Sequence, residues 1–113
     1  MRERDGVVIL DLAGKLMGGP ESDPLREAFR RLIDGGTRKL IVNLRGVPWM
    51  NSSGLGVLLA AFIQARKQGG EVKFVGLQDR VQGILTTTKL VTMIETWEDE
   101  EAAVRSFQSR RDV

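Results

Sequence analysis

Apolar residues recur along this chain at two spacings, and the spacings lay out its elements. Val7-Val8-Ile9-Leu10-Asp11-Leu12 is β-rich and reads as a strand, and in Lys39 to Leu44 (KLIVNL) the apolar residues are nearly continuous, as in a strand covered on both faces. Leu25, Ala28, Phe29, Leu32 and Ile33 fall at i, i+3, i+4, i+7 and i+8, one buried face of a helix. Leu55, Leu58, Leu59, Phe62 and Ile63 repeat that spacing. Val72 to Leu77 reads as a further strand, Val81, Ile84 and Leu85 as a short helix, and Met93 to Trp97 as a last strand.

Turn and polar residues punctuate this pattern. Asp5-Gly6 is a hairpin dipeptide, so residues 1–4 form a short first strand against 7–12. Gly14 to Ser22 is loop, with Asp23 as N-cap of the first helix and Pro24 at its first position. Gly35-Gly36 ends that helix, Gly46-Val47-Pro48 breaks the next strand, and Gly69-Gly70 ends the second helix. Asp79 caps the third. Glu98-Asp99-Glu100-Glu101 opens a final helix that closes with Arg105, Arg110 and Arg111, charges that complement the helix dipole. The order β-β-α-β-α-β-α-β-α predicts an α/β fold with a mainly parallel sheet, right-handed crossovers and an N-terminal edge hairpin. With no repeat or linker, residues 1–113 are expected to form one domain.

Composition narrows the function. Cysteine and histidine are both absent, which removes disulfides, thiolate or imidazole metal sites, and triads of the Ser-His-Asp or Cys-His kind. Carboxylate and lysine chemistry remain open. The 17 basic and 15 acidic residues are interspersed, for a net charge of +2. They form no stripe of the sort that binds nucleic acid. The apolar runs are too short to span a membrane, and the N-terminus does not lead into a signal-peptide pattern. The expectation is a cytoplasmic protein that binds another protein, without cofactor, metal, catalytic residues, membrane insertion or direct nucleic-acid contact.

The most distinctive segment runs from Val42 to Leu59: a buried strand, a polar turn containing glycine, then an amphipathic helix. A helix N-terminus presents unpaired N–H groups and partial positive charge, so a phosphate is stabilised there. Three readings compete. Asn51 and Ser52 can be plain N-caps, with the glycines easing packing. Gly54-x-Gly56 can belong to a nucleotide-binding loop, although neither a third glycine nor Gly-Lys-Ser/Thr follows at the required spacing. The third reading is a regulatory phosphoserine.

Asn51-Ser52-Ser53-Gly54-Leu55-Gly56 resembles the signature of STAS-domain anti-sigma-factor antagonists of the SpoIIAA-like family, in which a strand is followed by Asp-Ser-Ser-Gly-Leu-Gly and a helix. Gly14-x-Leu16 after the hairpin, Gly69-Gly70 and the element order extend the resemblance over nearly the whole chain. It implies a STAS fold, a mixed and mostly parallel sheet with helices mainly on one face. It also implies partner switching. The unphosphorylated protein would bind an anti-sigma factor, itself a serine kinase using ATP and Mg²⁺, and a PP2C-type phosphatase would reset it after phosphorylation. The family's acceptor is the serine directly after the Asp position, here Ser52, with Ser53 as the fallback. The partner surface would comprise Met17, Gly18, Gly19, Trp49, Met50, Asn51, Ser52, Ser53, Gly54, Leu55 and Gly56. The chain departs from the pattern in having Asn51 where the family often has Asp. Met17-Gly18-Gly19 stands where many relatives carry an Asp and small polar residues. A constitutive docking subunit of a transporter or signalling scaffold is the alternative, and a small-nucleotide-binding protein ranks third.

Residues outside the motif are weighed similarly. Trp49 and Met50 offer a partner contact or pack under the sheet edge. Thr86-Thr87-Thr88 read as helix-surface residues, Trp97 as packing, and Glu98 to Glu101 as a solvated helix start.

Overall fold

Asp5 and Gly6 both take positive φ, 52° and 81°, the geometry of a tight hairpin turn. The turn folds β1 (Arg2–Arg4) back antiparallel on β2 (Val7–Ala13). The computed structural model describes residues 1–109, so the expected closing arginines Arg110 and Arg111 lie outside the described residues. The remaining strands, β3 (Lys39–Gly46), β4 (Glu71–Val75) and β5 (Glu95–Trp97), are parallel to β2 and to each other. The sheet order is β1-β2-β3-β4-β5.

That sequential order decides where the helices go. Crossovers of one hand between neighbouring parallel strands place successive helices on the same face. α1 (Asp23–Asp34), α2 (Ser52–Lys67) and α3 (Asp79–Thr87) accordingly share one core with Leu10, Leu40, Val42, Leu44, Val72 and Phe74. α4 (Glu100–Ser109) follows the last strand and has no further strand to reach. It covers the opposite face, where Ala103, Val104 and Phe107 pack on Val7, Ile9, Ile41 and Val75. The alternation of β2 and β3 between these two cores explains their continuous apolar runs.

α4 is also held by polar contacts. Lys73, 1% exposed, is the large charged side chain buried beneath it. Its ammonium lies 3.0 Å from Glu95 Oε2 and 4.2 Å from the Phe107 ring centroid, and it donates to Ser106 Oγ. Such pairing is what a buried charge requires. At the edge, Arg2 meets Asp11 at 2.7 Å and Glu100 at 2.6 Å, and Arg4 meets Glu100 at 3.0 Å. Hydrogen bonding from the Arg2 guanidinium holds both carboxyls below the usual carboxylate range. Glu100 is therefore tied to the edge hairpin, not solvated, while Asp99 Oδ1 accepts the Ala102 amide at 2.7 Å and caps the helix.

Several boundaries differ from the expectation. A 3-10 turn over Pro20–Ser22 starts the winding early, so Ser22 occupies the cap position of α1 and Asp23 lies inside the helix, paired with Arg26 at 2.8 Å. Gln78, not Asp79, precedes α3. Lys89 takes a left-handed φ of 62° and a 3-10 turn follows over Leu90–Thr92, so the last strand begins only at Glu95. The buried side of α2 is rotated toward α1: Val57, Ala61 and Ala65 are buried, whereas Ile63 is 45% exposed.

Candidate functional site

The loops that leave β2 and β3 are zipped together. Gly14 N–H donates to Gly46 O at 2.8 Å, Leu16 N–H to Trp49 O at 3.1 Å, and Asn51 N–H to Leu16 O at 3.2 Å. Val47 and Met50 are buried beneath this ladder. Asn51 is extended, with φ −102° and ψ −178°, and its Oδ1 accepts the Gly54 amide at 2.7 Å. One orphan amide of α2 is thereby satisfied, as an N-cap should do. Ser52 and Ser53, the first two residues of α2, are exposed. Neither hydroxyl forms a hydrogen bond among the described residues.

The glycines have specific reasons. A Cβ on Gly54 would lie 2.0 Å from Leu16 O, so the first turn of α2 packs backbone to backbone on the β2–α1 loop. Gly18, with φ +80°, rests on Ser53, and a Cβ there would come within 2.5 Å of the Ser53 carbonyl carbon. A side chain at either position would push the loop off the helix start. Gly56 is open and exposed. It lines a groove of about 530 Å³ between α1 and α2, with Ser53, Phe29 and Ile33 among its neighbours.

The β2–α1 loop is braced from below. Gly18 N–H donates to Ser22 Oγ at 3.2 Å, and Ser22 is 1% exposed. The Arg26 guanidinium donates to Gly18 O at 2.6 Å and Gly19 O at 3.3 Å. Sequence reasoning did not single out Ser22 or Arg26. Their signal is only that they flank the start of α1 next to a Gly-Gly pair.

The eleven expected surface residues divide into two groups. Met50, Gly54 and Leu55 are buried and act as framework, because the core and the Leu16 backbone occupy the space around them. Ser52, Ser53 and Gly56 are exposed, while Met17, Gly18, Gly19, Trp49 and Asn51 are half-buried around them. Thr86 and Thr88 spend their hydroxyls on the carbonyls of Gln82 and Ile84. Trp97 is half-buried against Lys73 and donates to Glu95.

The STAS domain model matches residues 1–103. The chain belongs to the STAS family. Over 81 residues, 72% of this STAS chain and 73% of the relative, it is 33% identical to a Bacillus subtilis protein described as an anti-sigma-B factor antagonist. Two solved structures of the Bacillus protein SpoIIAA superpose with a TM-score of 0.71. The unphosphorylated form covers 100% of this chain and 96% of that one at 17% identity, and the phosphorylated form 94% and 96% at 20%. A sulfate transporter family protein from Wolinella succinogenes superposes with a TM-score of 0.77 at 17% identity, covering 100% of this chain and 93% of that one. At such identities the structural likenesses show the fold. No helix among the described residues is long and apolar enough to cross a membrane.

Proposed function

We propose that this chain is a single STAS domain acting as an anti-sigma-factor antagonist. In its unphosphorylated form it binds an anti-sigma factor that is also a serine kinase, and so frees a sigma factor. The kinase transfers the γ-phosphoryl of ATP, with Mg²⁺, to Ser52 Oγ, the hydroxyl proton passing to a base of the kinase, and ADP leaves. The modified protein then dissociates, and a PP2C-type phosphatase restores it. Ser53 is the fallback acceptor. The reading sets the protein in the cytoplasm, acting as a binding protein rather than an enzyme and without touching DNA.

The observation that carries this reading is a separation of roles at the head of α2. Asn51 caps the helix, leaving the Ser52 hydroxyl exposed and unengaged. A phosphoryl group on Ser52 adds roughly −1.5 to −2 charge where the helix dipole favours it. A partner surface packed on the same spot would have to desolvate that charge. Modification therefore leaves the fold intact and disfavours the complex. The relative described as an anti-sigma-B factor antagonist supports the assignment.

The test is binding of Ser52 variants to the anti-sigma kinase. Ser52→Ala is expected to bind as the unmodified protein does and to remain bound with ATP present, while Ser52→Asp binds poorly. Equal affinity of Ser52→Asp and unmodified protein would contradict phosphate-controlled release and favour constitutive docking.

A further inference from the structure

The two flanks of the α2 start differ in how their charges are used. On the α1 side, Arg26 pairs with Asp23 and Arg30 with Glu27. On the α3 side, the Lys15 and Arg80 side chains are exposed and form no ion pair or hydrogen bond with any described residue. Trp49 lines the same surface as both. It borders a depression of about 330 Å³ with Lys15, Pro48, Asp79 and Arg80. It also borders a second, of about 600 Å³, with Arg80, Gly83 and Ile84 of α3. Asp79 is the acidic residue among these lining residues and sits in the first turn of α3, where the dipole stabilises a carboxylate.

We propose that the Trp49–α3 surface receives an acidic segment of the partner, with an apolar partner side chain against Trp49 and partner carboxylates on Lys15 and Arg80. An aromatic residue flanked by cations is the composition of an interface anchor. The surface is continuous with the switch, since Ser52 follows Trp49 by three residues. Leu16, next to Lys15, is hydrogen-bonded to both Trp49 and Asn51, which brings Lys15 beside the residues that lead into Ser52, and at physiological ionic strength exposed charges act on one another over about 8–10 Å. Lys15, Arg80 and Asp79 together give the rim one net positive charge. A phosphoryl group of roughly −1.5 to −2 turns it negative, so modification would repel the same acidic segment that the unmodified rim attracts. This last step rests on the function proposed above, whereas the surface itself does not.

The test is an NMR titration of the full chain with two synthetic amphipathic helical peptides, both carrying Leu at i, i+3, i+4 and i+7, with Glu at the polar positions of one and Lys at those of the other. The chain has two tryptophans, so the two indole N–H signals are read separately. The acidic peptide is expected to shift the Trp49 indole and the Lys15 and Arg80 amides saturably, to leave the Trp97 indole in place, and to bind more weakly as salt rises. Lys15→Glu with Arg80→Glu, both at exposed positions, is expected to weaken binding roughly tenfold with an unchanged melting temperature. Equal binding of the Lys peptide, shifts confined to the α1–α2 groove, or no saturable shift would overturn the proposal. So would a Trp49 shift on concentrating the free chain, which would assign the surface to a second copy. Ser52→Asp separates the two readings. Weaker acidic-peptide binding supports both, while unchanged binding alongside the charge-reversal effect leaves the surface standing and removes the switch.

Discussion

Two helices of this domain begin beside a serine, and the two serines have different tasks. Ser22, ahead of α1, is buried, and its Oγ is spent accepting the Gly18 amide. Ser52, at the head of α2, is exposed with its hydroxyl unengaged, because Asn51 has taken the capping role one residue earlier. A serine at a helix start is thus a structural device when its hydroxyl is spent on a loop amide, and is free for modification when a neighbour caps the helix and leaves it unengaged. The β2–α1 loop connects the two sites. Its Gly18 amide rests on Ser22 and its Cα on Ser53, so the structural serine helps shape the surface beside the exposed ones.

The contrast can be broken most forcefully through the shared framework. Gly54→Ala would force a Cβ against Leu16 O, backbone on backbone, and is expected to cost about 3 kcal/mol or more, read as a large fall in melting temperature. Next, Ser22→Ala leaves the half-buried Gly18 amide without its partner. It is expected to destabilise by about 1–3 kcal/mol in chemical denaturation. Asn51→Ala removes the α2 cap and is expected to cost about 1 kcal/mol, whereas Asn51→Asp keeps it. Ser52→Ala is expected to stay within about 0.5 kcal/mol of the parent. A loss from Ser52→Ala as large as that from Ser22→Ala would erase the distinction.

Much of this was legible in the residues. The i, i+3, i+4 spacing located α1 and α2, the β-rich segment after Asp5-Gly6 located β2, the continuous apolar run located β3, and Asn51 stood where a cap belongs. What escaped depends on contacts between distant segments. Gly54 is small because Leu16 crosses over it, and no local pattern records that approach. Lys73 looks like an ordinary strand residue, yet it is buried because Glu95 and Phe107 meet it from β5 and α4. The left-handed Lys89 shortened the last strand without any glycine to announce it. The position of Trp49 beside unpaired cations became visible only when the start of α3 was placed against the β3–α2 loop.

The most direct measurement is phosphosite mapping by mass spectrometry on the protein isolated from its native cells, with and without phosphatase treatment. The account predicts phosphate on Ser52, none on Ser22, and loss of the signal after phosphatase. A chain unmodified at Ser52 across growth and stress conditions would contradict it.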